Sequence, residues 1–145
     1  MIRCGEARPL LFKQARLHWH RKSYSEMTVN QIAEQEPFTT ADGSTIRSIL
    51  DCTNAPVENQ SLAEASLKPG GCTDRHYHKK SEEIYFILEG TGTMELDGKK
   101  RSVATGDAIL IPPGEWHQIT AEGTTDLRFL CCCAPPYSHE DTYFD

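Results

Sequence analysis

Between Gly70 and Gly90 the chain reads GGCTDRHYHKKSEEIYFILEG. His76 and His78 lie one residue apart, and Glu82 and Glu83 follow almost at once. Side chains on an extended strand alternate between its two faces, so the two histidines share a face. The connection KKSE brings the chain round to Glu83, whose carboxylate is expected to meet both imidazoles across the ladder. Glu82 then points the other way, to solvent. Two imidazoles and a carboxylate suit a divalent transition metal ion. A lone histidine is more often a hydrogen-bonded structural residue than a ligand; two at this spacing beside a carboxylate point to a site.

A fourth candidate follows in GDAILIPPGEWHQIT, from Gly106 to Thr120. Gly106 opens a turn. Pro112, Pro113 and Gly114 make a rigid bend at the end of an apolar strand, where proline is tolerated. His117 comes three residues after Gly114, at the start of the next strand.

The elements that must position these groups are short strands separated by Gly/Pro turns. From Ile46 onward the chain divides into IRSILD, QSLAEASL, TDRHYHKK, EIYFILE, GTMELD, KKRSVA, DAILI, WHQITA and DLRFLCCC. GTMELD and KKRSVA join through Asp97-Gly98, a strong hairpin signal. This pattern means an antiparallel sandwich or small barrel. Before it, TVNQIAEQEP reads as a short helix, with Thr28 and Gln31 as a capping box and Pro37 as its stop. TTADGST is a turn with Asp42-Gly43 at its tip. The tail YSHEDTYFD is acidic and expected at the surface.

Strand parity also assigns walls. If Glu83 faces inward, so do Tyr85 and Ile87, while Ile84, Phe86 and Leu88 face away. If His117 faces inward, so does Ile119. On DLRFLCCC either Phe129, Cys131 and Cys133 or Leu130 and Cys132 line the interior. Core packing accounts for most of these positions. Tyr85 is the candidate polar wall residue, because a buried hydroxyl needs a partner.

Composition limits the classes of function. The 145 residues suffice for one domain with a real core. The net charge of −6 argues against a nucleic-acid partner, which requires a basic patch to neutralise phosphates. No apolar run approaches the ~20 residues of a membrane span, and the first residues lack the apolar core of a secretory signal. Residues 1–26 hold six Lys/Arg against two acids, so the remainder carries nine bases and nineteen acids. This segment is expected to be an extension or surface arm, with residues 27–145 as the single domain; docking of the arm on a partner subunit is the sharper alternative. The six cysteines form no C-x-x-C pair, so a zinc knuckle is not expected. Cys131, Cys132 and Cys133 are consecutive on one strand and make a poor disulfide framework. They read as small buried hydrophobes in a reducing, cytoplasmic compartment, with nothing nearby in sequence to activate a thiol.

The full spacing carries a resemblance. Gly70, five residues, His76, one residue, His78, four residues, Glu83, six residues and Gly90 are followed by Gly106, five residues, Pro112, one residue, Gly114, two residues and His117. Both stretches resemble the signature motifs of the cupin superfamily, in its small single-domain form, over about Gln60 to Cys133. One position departs: the second motif often ends in Asn, and here Ala121 stands there. The resemblance implies an all-β double-stranded β-helix, the cupin jelly-roll barrel. It implies one divalent metal ion (Fe, Mn, Ni, Co or Zn) held by His76, His78, Glu83 and His117, and a homodimer. Three neutral imidazoles and one carboxylate leave such an ion net positive, with two positions open if it is six-coordinate.

The function implied is a mononuclear metalloenzyme acting on a small organic molecule, as a dioxygenase, isomerase or lyase. The alternative is a non-catalytic small-molecule binding or sensing module. A structural dimer without chemistry fits poorly with a complete ligand set. A sugar-phosphate isomerase needs several basic groups at the pocket mouth; Lys79 and Lys80 could reach it, but lysine pairs on loops are usually just solvated. The catalytic residues stay unassigned, with Tyr85 as the candidate pocket residue.

Overall fold

The computed structural model describes residues 27–145; the 1–26 arm lies outside them. The alternating segments form strands β1 (Phe38–Thr39), β2 (Thr45–Leu50), β3 (Ser61–Leu67), β4 (His76–His78), β5 (Glu82–Glu89), β6 (Thr91–Leu96), β7 (Lys99–Ala104), β8 (Ala108–Ile111), β9 (His117–Glu122), β10 (Leu127–Ala134) and β11 (Thr142–Phe144). They make two antiparallel sheets, one ordered β1-β2-β3-β10-β5-β8 and the other β11-β4-β9-β6-β7. The chain passes from one sheet to the other between β4 and β5 and again between β8 and β9, so the two motifs lie side by side in both sheets, β4 beside β9 and β5 beside β8.

Burial follows the period-2 pattern. On β5, Glu83, Tyr85 and Ile87 are buried, whereas Ile84 and Phe86 are each 41% exposed. His117 and Ile119 are both fully buried on β9. On β10 the inward set is Phe129, Cys131 and Cys133, which settles the alternative that alternation left open. Ile87, Ile111, Ile119, Leu127 and Phe129 form the centre of the core. Each such side chain contributes roughly 1.5–3 kcal/mol on leaving water. The β6–β7 hairpin turns through Asp97 at φ 47° and Gly98 at φ 80°. Two positive φ values match the right-handed strand twist, and glycine adopts its own at little steric cost.

Three elements differ from expectation. The stretch expected as a helix over 28–37 contains a single 3-10 turn, Ile32–Glu34, with no side-chain cap and no buried residue. Without an apolar stripe against the core, a longer helix has nothing to stabilise it. Phe38–Thr39 adds a short strand on β2, through the expected Asp42-Gly43 turn. The acidic tail is not simply surface: Asp141 is buried, and β11 pairs with β4 through Thr142–His78, Tyr143–Tyr77 and Phe144–His76. Tyr143 and Phe144 keep about two-fifths of their area exposed. Among the described residues no helix is long and apolar enough to cross a membrane, and all five cysteines there are free.

Candidate metal centre

His76 and His78 project inward from β4, one on each side of the outward Tyr77. His117 lies opposite His76 in the β4–β9 ladder. Glu83 comes from β5, which belongs to the other sheet. The carboxylate therefore meets the histidines across the gap between the sheets, and not across a ladder as the sequence suggests. The Lys79–Ser81 turn makes the crossing possible, because it moves the chain from sheet to sheet while leaving Glu83 on the inner face.

The four side chains are buried, and their potential donor atoms all lie within 4.8 Å of one another. His78 Nε2 is 3.3 Å from Glu83 Oε2, and His117 Nε2 is 3.5 Å from the same oxygen. The His76 and His117 ring centroids are 4.2 Å apart. Glu83 Oε2 and His117 Nε2 have no hydrogen-bond partner although both are fully buried. Such atoms are costly unless something else satisfies them. A divalent ion placed among these donors would do so, and the nitrogen and oxygen chemistry fits one.

The outer nitrogens are already occupied. His76 Nδ1 donates to the Asp74 carbonyl at 2.7 Å, and His117 Nδ1 donates to the Glu115 carbonyl at 3.1 Å. Those bonds place the ring proton on Nδ1 and leave the Nε2 lone pair facing inward. His78 reaches the same state through the tail: its Nδ1 pairs with Thr142 Oγ1 at 3.3 Å, and that hydroxyl donates to the Ser138 carbonyl at 3.1 Å. Glu83 Oε1 accepts the Cys133 thiol at 3.2 Å, so Oε2 is the oxygen left for the histidines.

Asp141 organises the turn between His78 and Glu83. Its carboxylate accepts the Lys80 backbone N–H at 3.1 Å and the Ser81 N–H at 3.0 Å. Ser81 Oγ donates to the Pro135 carbonyl at 3.0 Å. Sequence reasoning missed Cys133 as a partner of Glu83, and it missed Thr142 and Asp141 altogether. These contacts join residues 50 to 64 positions apart, so no local pattern announces them.

Electrostatics follow from the crowding. Burial and the neighbouring His117 hold the His76 pKa below its usual value, which favours the neutral imidazole. Burial alone would lower His78 too, but the Glu83 carboxylate outweighs it and raises that pKa. Burial would raise the Glu83 carboxyl, yet the two adjoining imidazoles hold it well below the ordinary carboxylate range. The Cys131 and Cys133 thiols are pushed up by burial and by the Glu83 charge. They are protonated, unreactive neighbours, as the sequence suggested.

The centre opens into a cavity of about 340 Å³. Its wall includes His76, His78 and Glu83, together with Tyr85, Phe129 and Cys131. Tyr85 packs edge-on against His117 at 6.1 Å and tilted against Phe129 at 4.6 Å, and burial raises its hydroxyl pKa. Glu82 is exposed, as parity requires. The Ala121 methyl is buried, and its peptide pairs with Gly70 and Gly71, so the missing asparagine is replaced by plain packing.

Known proteins are similar to this chain in sequence and fold. The family model for the cupin domain matches residues 63–133. The uncharacterized protein MJ1618 of Methanocaldococcus jannaschii is 50% identical over 107 residues, 74% of this chain and 86% of that protein. The oxalate-binding protein of Thermotoga maritima is 40% identical over 69 residues, 48% of this chain and 57% of its own length. The solved structure of the polyketide cyclase RemF from Streptomyces resistomycificus superposes with a TM-score of 0.67 at 26% identity, covering 80% of this chain and 89% of that one. With both motifs placed inside two facing antiparallel sheets, the chain belongs to the cupin family.

Proposed function

We propose that this cupin holds one divalent transition metal ion through His76, His78, Glu83 and His117, and that it is a metalloenzyme acting on a small organic molecule in the adjoining cavity. The observation that carries the metal reading is the pair of orphaned buried atoms, Glu83 Oε2 and His117 Nε2, beside imidazoles whose other nitrogens are engaged. Bound there, the ion supplies Lewis acidity and exchangeable positions. The chain's own groups shape what reaches it. Phe129 and Tyr85 wall the space, and burial keeps the Tyr85 hydroxyl and the Cys131 thiol protonated, so they offer a bound molecule hydrogen-bond donors and not bases. The reaction class is dioxygenase, isomerase or lyase. Similarity to a polyketide cyclase and to an oxalate-binding protein supports both a catalytic and a binding use of such a cavity.

The test begins with elemental analysis of protein purified without added metal, then of four variants. His76→Gln, His78→Gln, Glu83→Gln and His117→Gln should each lose metal while remaining folded, because an amide binds a transition metal far more weakly than imidazole or carboxylate. Full occupancy in the His117→Gln protein removes that residue from the site. An oxygen-consumption screen over catechols, thiols and keto acids then separates the classes: oxygen uptake selects the dioxygenase, turnover without oxygen the isomerase or lyase. Ligand-induced thermal shifts without turnover select a binding module.

The assembly read from the family and from open sheet edges is a homodimer in the cytoplasm. The outer face of the six-stranded sheet supports it, since Ile84, Phe86 and Leu110 are 41%, 41% and 54% exposed, with Ile84 paired to Leu110. A contiguous apolar face of this kind marks an interaction surface.

A further inference from the structure

The cavity has an uneven charge. Among the described residues its ionisable lining includes Asp42, Asp51 and Glu83, and no lysine or arginine takes part. Lys79 and Lys80, adjacent to the ligands in sequence, are exposed and do not line it. Asp42 sits in the β1–β2 turn. Its Oδ1 accepts the Ser44 N–H at 3.0 Å and the Ser44 hydroxyl at 2.7 Å, and it also accepts the Thr40 hydroxyl. The Asp42 carbonyl accepts the Asp74 N–H at 2.7 Å, which ties the turn to the segment leading into His76. Three bonds converge on one oxygen, so the carboxylate is held in place on the wall.

Asp51 is held in the same manner at the end of β2. Its Oδ1 accepts the Thr53 N–H and hydroxyl, each at 2.6 Å, and its Oδ2 accepts the Ser48 hydroxyl. Burial would raise this carboxyl, but those bonds outweigh it and keep the pKa low. Two fixed carboxylates therefore line a space whose other walls, apart from His76, His78 and Glu83, are apolar, thiol- or hydroxyl-bearing side chains.

Charge counting gives the consequence. A divalent ion with the Glu83 carboxylate leaves one positive charge, and Asp42 and Asp51 bring two negative ones. The loaded cavity is net negative, and its low-dielectric walls screen that field poorly. A dicarboxylate or phosphate ester could reach the ion with one end, but its other charge would meet carboxylates with no cation to answer them. We propose that Asp42, backed by Asp51, selects ligands that are neutral or carry an amine away from the metal, compact and largely apolar, and turns away dicarboxylates and phosphate esters. This rests on the metal-centre reading and deepens it to a substrate class.

The test uses the full chain, whose basic 1–26 arm is included, loaded with Mn(II). Oxalate, oxamate and oxamide form a series of nearly constant shape and decreasing negative charge. Their affinities are measured by titration calorimetry for the wild type, Asp42→Asn and Asp51→Asn. Asparagine keeps an acceptor oxygen for the turn, and Mn(II) content verifies that each variant is intact. Removing one fixed charge from the cavity wall is expected to tighten oxalate roughly tenfold at low salt, oxamate less, and oxamide by under about twofold. Asp51→Asn should show the same order with a smaller effect, and it carries the test if Asp42→Asn does not fold. Oxalate affinity unchanged in a metal-loaded variant, or an equal change across all three probes, overturns the assignment alone. A wild-type chain that retains no Mn(II) overturns the metal-centre reading and this assignment with it.

Discussion

Replacing Asp141 tests whether the C-terminal tail is part of the site. Two backbone donors depend on its carboxylate: the Lys80 N–H, 3.1 Å from both oxygens, and the Ser81 N–H at 3.0 Å. A hydrogen bond to a charged acceptor contributes roughly 1.5–3 kcal/mol, and a buried donor left unpaired costs about 1–3 kcal/mol. Lys80 is exposed, so water can take over its bond; Ser81 is only 3% exposed and has no such replacement. Asp141→Ala should therefore cost about 2–4 kcal/mol. With a urea slope of about 2 kcal/mol per molar, the midpoint of the metal-free chain falls by roughly 1–2 M. Asp141→Asn keeps one acceptor and should lose about half as much. Burial would raise the Asp141 carboxyl, but the Lys80 and Ser81 bonds outweigh it and hold the pKa below the ordinary value. A group depressed in the folded state stabilises above its unfolded pKa, about 4, and stops doing so as the pH falls through the folded value. The gap between wild type and Asp141→Asn should accordingly be full at neutral pH and close in acid. Metal affinity should fall in both variants, because the turn places His78 and Glu83. An Asp141→Ala protein within about 0.5 kcal/mol of wild type would refute this account of the tail.

Two further outcomes are expected. A Cβ at Gly92 would lie 2.5 Å from the Thr120 carbonyl oxygen and 2.9 Å from Leu127 Cδ2, so Gly92→Ala must push β6 from β9 and should cost about 1–3 kcal/mol; an unchanged melting temperature would show that the ladder yields freely. Ile84→Glu combined with Phe86→Glu places charges on the exposed apolar face without touching the interior. Sedimentation should then show a monomer with undiminished metal content, and a dimer that persists would move the interface elsewhere.

Much of the site was legible because its information is local. One-residue spacing puts His76 and His78 on one face of any strand, and Asp97-Gly98 closes a hairpin wherever it falls between alternating segments. The same alternation sorted Glu83, Tyr85 and Ile87 from Ile84 and Phe86. It failed where a partner had to be chosen. The tail looked like solvated acidic surface, because nothing in YSHEDTYFD shows that Asp141 will meet the amides of Lys80 and Ser81.

What the sequence by itself determined is the strand pattern, the turns and the shared face of His76, His78 and Glu83, all consequences of backbone periodicity and of residues a few positions apart, while His117 joined the candidate set through the resemblance of its motif. The tertiary structure alone decided that Glu83 reaches the histidines from the opposite sheet, that Cys133 and Thr142 orient Glu83 and His78, and that Asp42 and Asp51 charge the cavity. Periodicity states which face a side chain occupies but not which strand lies opposite that face. That choice is made when the whole barrel closes, as loop-closure entropy is offset by burial of Ile87, Ile119, Leu127 and Phe129 in a shared core.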